Sequence, residues 1–351
     1  MRVTGLALGL LYLFTSSACS PAMLDRVAID RVVRETLTQP DLSKACASGE
    51  SLTHALAAGA PEKRPPLRAL MFSESTAGMC SELRSREDVL ESLRTLKNVT
   101  TLGPERTAAV KDARYRADRL RAEAAVRFER SWTHLEAFYG PLGGDTCPRI
   151  KEKDEVVMVI GLVAGVLALI HDKGSGSTLG VPLDRINVVG RAATCLDDET
   201  WWYAPSALQA AAWAMVPGTG PENVDPWVLL EQAATKGDLT GVRFARGLQV
   251  QIAANSGRQD VLASGIRAHA RSLKEMNAPD RWMLLDEYAR LVSLYESDLL
   301  WTEAEGHRTP VFGELPGDAA AQAMPDIFGG DPFGVDPFGN STDETESQET
   351  P

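Results

Sequence analysis

VVMVIGLVAGVLALI, residues Val156 to Ile170, is apolar on every side for fifteen residues. It falls short of the roughly 20 residues that a membrane-spanning helix needs. Lys151, Glu152, Lys153 and Asp154 precede it, and His171, Asp172 and Lys173 follow. The stretch therefore reads as the central helix of a soluble core, shielded on all sides by other helices. Gly161, Ala164, Gly165 and Ala168 recur at helical spacing along one side of it, so a neighbouring helix can approach closely there.

Outward from this centre the pattern is helix after helix, with almost none of the period-two alternation that a strand requires. Pro104 and Glu105 open a charged, arginine-laced helix of about nine turns that stops at Gly140 and Pro141. Its later half, through Leu120, Ala124, Phe128, Trp132, Leu135 and Phe138, marks one buried face. Further helices are predicted over 41–58, 66–80, 86–97, 184–195, 202–215, 226–236, 239–256, 258–275 and 279–301. Asp225 before Pro226 supplies a cap with proline at the first helical position.

Short linkers make successive helices antiparallel hairpins, and from Trp213 onward they recur about every 15–20 residues, the period of tetratricopeptide-type arrays. No repeating consensus accompanies that period. The fold class is all-α: a degenerate helix-hairpin array, or tetratricopeptide-like α-solenoid, over residues 41–317, followed by a disordered acidic tail over 318–351.

The first twenty residues, MRVTGLALGLLYLFTSSACS, carry a basic start at Arg2, an apolar stretch from Leu6 to Phe14 and small residues leading to Cys19. This is the three-part layout of a secretory signal, here 1–18, with the Cys19 thiol placed to accept lipid and residues 19–40 forming the lipidated lead-in. Ser16 stands where a lipobox usually has Leu, and the alternative is an ordinary secretory signal with a coincidental cysteine. Ser20 in place of Asp favours the outer membrane, by analogy with lipoprotein sorting. The expected location is the periplasmic face of that membrane.

With Cys19 assigned to lipid, Cys46, Cys80, Cys147 and Cys195 remain, an even number in an exported chain. Of the three possible pairings we favour Cys46 with Cys80 and Cys147 with Cys195, each worth roughly 3–4 kcal/mol by loop closure. A metal site is the alternative, but no CxxC pair or suitably spaced His accompanies these cysteines. Neither metal nor cofactor is expected.

The net charge of -12 is unevenly spread. After Arg308 there is no Lys or Arg, and the eight acids from Asp318 to Glu349 equal two thirds of the net charge. The body is only mildly acidic, which gives no reason to propose nucleic acid or anionic lipid as a partner. The tail holds a five-residue repeat, DIFGG, DPFGV and DPFGN, that sets Phe328, Phe333 and Phe338 at a fixed interval. Such a segment buries too little to fold by itself. Its phenylalanines would suit apolar pockets on a partner, with affinity raised by repetition.

Chemistry is harder to find. The loop from His171 to Pro182 is rich in Gly, Ser and Thr but lacks the P-loop order, so a connector is the plainer reading. Asp197 and Asp198 stand beside Trp201 and Trp202, a composition that can act on sugars. Adjacent carboxylates on one turn more readily cap a helix, with the tryptophans in the core. The five histidines show no HExxH, and no GxSxG is present. His307 and Arg308, past the last helix, either cap it or line a groove.

The signal ending SSACS and the alanine-rich hairpins from Trp202 through Trp301 resemble the T-component lipoproteins that accompany TRAP transporters. That resemblance implies a helical scaffold that engages a periplasmic solute-binding protein and offers a groove or pore to its ligand. The phenylalanine tail has no counterpart in that pattern. The expected function is a non-enzymatic docking surface for another envelope protein, with homo-oligomerisation open. The alternatives are a structural subunit of a secretion or transport complex, and a periplasmic enzyme on cell-wall glycans that uses Asp197 and Asp198.

Overall fold

A computed structural model describes residues 25–59, 65–97 and 103–318. Cys19 and Phe328, Phe333 and Phe338 lie outside them. Every regular element among the described residues is helical. A π-helical turn, Ala28–Val33, runs into α1 (Arg34–Leu37), followed by α2 (Leu42–Gly59), α3 (Leu67–Lys97), α4 (Pro104–Tyr139) and α5 (Glu155–Gly174). The hairpin half comprises α6 (Arg185–Ala193), α7 (Ala204–Met215), α8 (Pro226–Asp238), α9 (Phe244–Asn255), α10 (Gln259–Glu275) and α11 (Met283–Glu305).

The central stretch is α5, buried without a break from Val157 to Asp172. It is long and apolar enough to cross a membrane, yet 89% of its apolar window is covered by the protein itself. Helices α3, α4, α6 and α7 pack around it. The small residues do what their spacing predicts: a Cβ on Gly161 would lie 2.7 Å from Leu135, and one on Gly165 only 2.4 Å from the Trp132 ring. Arg185 also packs on that indole, its guanidinium 4.5 Å from the ring centroid while it pairs with both Glu129 oxygens at 2.7 and 2.9 Å.

Two helix boundaries and one predicted buried face differ from expectation for visible reasons. The predicted helices 66–80 and 86–97 are one, α3, because the polar run between them lies inside the protein: Ser81, Glu82 and Ser85 are buried, and the Ser85 hydroxyl donates to the Ala117 carbonyl at 2.9 Å. Helix α9 starts at Phe244, not residue 239. Thr240 and Gly241 form a turn with Gly241 at φ +78°, and the Arg243 amide donates to the Asp286 carboxylate at 2.8 Å. On α4, Ala124, Phe128, Trp132 and Leu135 are buried, but Phe138 is 39% exposed, lying edge-on to Tyr139 beneath the Arg68 guanidinium.

Successive hairpins pack α6 on α7, α7 on α8, α8 on α9 and α9 on α10. Helix α11 then turns back to lie against α9, α10 and α3, touching α1 and α2 as well. The array thus closes on its own first half. Two fully buried arginines fasten the hairpin half to itself. Arg243 donates to Asp286, Ser272, Gly241 and Met276, and Arg246 to Asp238, Glu231, Gln249 and Thr235. Each satisfies its guanidinium on several acceptors, as a buried charge must.

Candidate functional site

Where α11 meets α3, a polar cluster lies inside the protein. Glu82, fully buried, accepts from Arg86 at 2.6 Å through Oε1 and from the Tyr288 hydroxyl at 2.8 Å through Oε2. Arg86 also donates to Gln251 of α9 at 2.9 Å and stacks over the Tyr295 ring at 4.7 Å. His171, the last buried turn of α5, brings Nε2 to 3.2 Å from Glu82 and stacks on Phe128. Its Nε2 faces the carboxylate without meeting hydrogen-bond geometry. One Arg86 nitrogen, NH1, has no partner at all.

Electrostatics splits the two acids of this cluster. Burial alone would raise the Glu82 carboxyl, but Arg86 and then His171 overrule it and hold it down at about 2. Glu296, 8% exposed and beside Arg86, is pushed the other way by burial, to about 7. The linkage sign follows. A raised acid stabilises the fold below its unfolded value of 4.5, and that stability is lost as pH rises through 7. Glu296→Gln should therefore match the parent near pH 4.5 and exceed it by about 1–3 kcal/mol at pH 8. Urea titrations at both pH values test this; an equal difference at the two would mean that Glu296 titrates normally.

From Arg86 and Tyr295 the cluster opens into a groove of about 300 Å³ between α3 and α11. Leu83, Leu90, Leu291 and Leu294 form its walls, and Arg84, Glu87, Asp298 and Arg308 its rim. Arg308 thus takes the second of its two expected roles: it lines a groove, paired with Glu87 and 3.7 Å from Asp298. His307 instead stacks on Trp301 and bonds the Arg308 carbonyl, outside the groove.

The other expected residues are placed differently. Trp201 and Trp202 are not available as a binding surface. They are 6% and 4% exposed and pack edge-to-face with each other and with Trp282, and the Trp201 indole N–H donates to Glu155 at 2.7 Å. Asp197 accepts the Thr200 amide, and Asp198 accepts both the amide and the hydroxyl of Ser206, capping α7 from outside. The glycine-rich loop is tied down by Asp172, which accepts the amides of Leu179 and Val181 at 2.8 Å each. No group of three His, Cys, Asp or Glu among the described residues is placed to hold a metal ion.

Cys147 and Cys195 form a disulfide that joins the segment after α4 to the end of α6. A second groove, of about 650 Å³, is lined by Asp145, Arg191, Gln209 and Trp213. The expected Cys46–Cys80 disulfide is not formed. The two meet where α2 packs on α3, but as thiols, with Cys46 raised and Cys80 lowered by the hydrogen bond they share. At 6% and 3% exposure both lie beyond easy reach of an exchange partner.

Sequence reasoning missed Glu82, Arg86, Tyr288 and Glu296. The available signal was Glu82 and Arg86 at i,i+4, a spacing that sets opposite charges side by side on one helix face. A comparison with known protein families, with curated proteins and with solved structures finds no match for this chain.

Proposed function

We propose that this chain is an envelope lipoprotein, anchored through Cys19 on the periplasmic face of the outer membrane. Its helical body acts as a docking scaffold for another envelope protein, such as a periplasmic solute-binding protein or a membrane complex. The observation that carries the reading is the groove between α3 and α11: leucine walls, a floor held rigid by the Glu82–Arg86–Tyr288 cluster, and an arginine rim. A rigid apolar slot beside a cation suits an apolar side chain next to a carboxylate on a partner.

The Arg308 pair with Glu87 is half exposed and worth at most about 1 kcal/mol, so a partner's carboxylate can displace it at little cost. Mild-detergent capture from native membranes tests the reading. Leu291→Glu and Arg308→Glu should each reduce recovery of the partner at least tenfold, with thermal unfolding near that of the parent. Undiminished recovery by both variants removes the groove from the function. Cys19→Ser should release the protein from the membrane fraction, and continued membrane residence would remove the anchor.

A further inference from the structure

We propose that in the free protein this groove is occupied by the chain's own segment 326–340, which a partner must displace. The inference rests on the groove reading above and adds the identity of its resting occupant. Three observations converge on it.

The first is chemical fit. Each repeat sets an aspartate two residues before a phenylalanine, Asp326 with Phe328, Asp331 with Phe333 and Asp336 with Phe338. The groove offers the complementary pair: leucine walls, and the Arg84 and Arg308 guanidinium groups at the rim. Arg84 and Arg308 side chains are 59% and 38% exposed, and their partners Glu50 and Glu87 are 31% and 61% exposed. Both pairs are therefore screened by water and exchange readily. Glu87 and Asp298 are the acids facing the incoming aspartate, and each already lies against Arg308.

The second is reach. Arg308 is on the groove, and the last described residue, Asp318, is fixed to Arg267 at 2.9 Å. Ten residues connect Arg308 to Asp318, and ten more lead from Asp318 to Phe328. Whatever distance the outgoing chain covers, at most about 35 Å, the returning chain can cover. The third is repetition: three equivalent phenylalanines on one short tether give a local concentration of order mM for a single slot. No Lys or Arg after Arg308 opposes the approach.

The test uses the full-length protein with a benzophenone amino acid in place of Phe333. Irradiation should join that position to α3 or α11 of the same chain, at peptides containing Leu83, Leu291 or Leu294. Crosslinks that fall elsewhere, or only between copies, overturn the proposal. A second measurement uses a labelled synthetic peptide of residues 324–341. By fluorescence anisotropy it should bind the Phe328→Ala/Phe333→Ala/Phe338→Ala full-length variant at least tenfold more tightly than the parent, whose own tail competes. Equal binding to both, or no binding to either, overturns it. Partner capture that depends on Leu291 while the crosslink misses the groove would leave the scaffold reading standing and this one fallen; the reverse pattern would do the opposite.

Discussion

Glu82→Ala is expected to lower the unfolding free energy by about 3–5 kcal/mol, the cost of stripping a buried charge of its partner. The substitution leaves Arg86 inside the protein with Gln251 as its remaining hydrogen-bond acceptor, and takes the acceptor from the Tyr288 hydroxyl. A void adds to the loss. Glu82→Gln separates charge from shape: it keeps an oxygen for Tyr288 but offers Arg86 no charge, so an intermediate loss is expected. The pH dependence gives an independent check. Glu82 is held at about 2 against an ordinary 4.5, so its contribution is complete above pH 4.5 and fades as pH falls through 2. The gap between parent and Glu82→Gln should close over that window. A gap that stayed constant would mean that the loss is one of packing alone.

Removing the Cys147–Cys195 disulfide is the second large effect. Its cysteines are 48 residues apart, and closing a loop of that size stabilises by about 4 kcal/mol through the unfolded chain. A Cys147→Ala/Cys195→Ala protein should lose about that much in urea unfolding, and reductant should lower the parent to the same level while leaving the variant unchanged. If reductant also destabilised the variant, Cys46 and Cys80 would have to be joined after all, since they are the remaining cysteines of the described body.

Much of the architecture was legible because burial of apolar residues leaves a periodic trace. The fifteen apolar residues of α5 named the centre, its glycines named where α4 approaches, and Asp225 before Pro226 caps α8 by accepting the Trp227 amide at 2.8 Å. What failed to show was burial of polar residues. Ser81, Glu82, Ser85 and Arg86 look like a surface break, yet all four are buried, and α11, two hundred residues later, supplies Tyr288 opposite Glu82. Arg243 and Arg246 are hidden for the same reason: apart from Gln249, their acceptors come from other helices or turns, and no local pattern announces them. The tryptophans of CLDDETWW invited a binding role that burial withdraws, while Arg308, with no motif around it, is on the groove.

The Glu82–Tyr288 bond spans 206 positions of sequence. Synthesis runs from the N-terminus, so α3 is made long before the helix that will cover its ion pair and give Glu82 the Tyr288 hydroxyl exists. Until α11 arrives, Glu82 and Arg86 belong to water, and the face they occupy has no stable reason to seal. A hairpin stack normally can zip up one repeat after another; here the last helix must be present before the first half is finished. Folding should therefore be slow for a helical protein and all-or-none across both halves, and a chain stopped before α11 would be a natural client for chaperones.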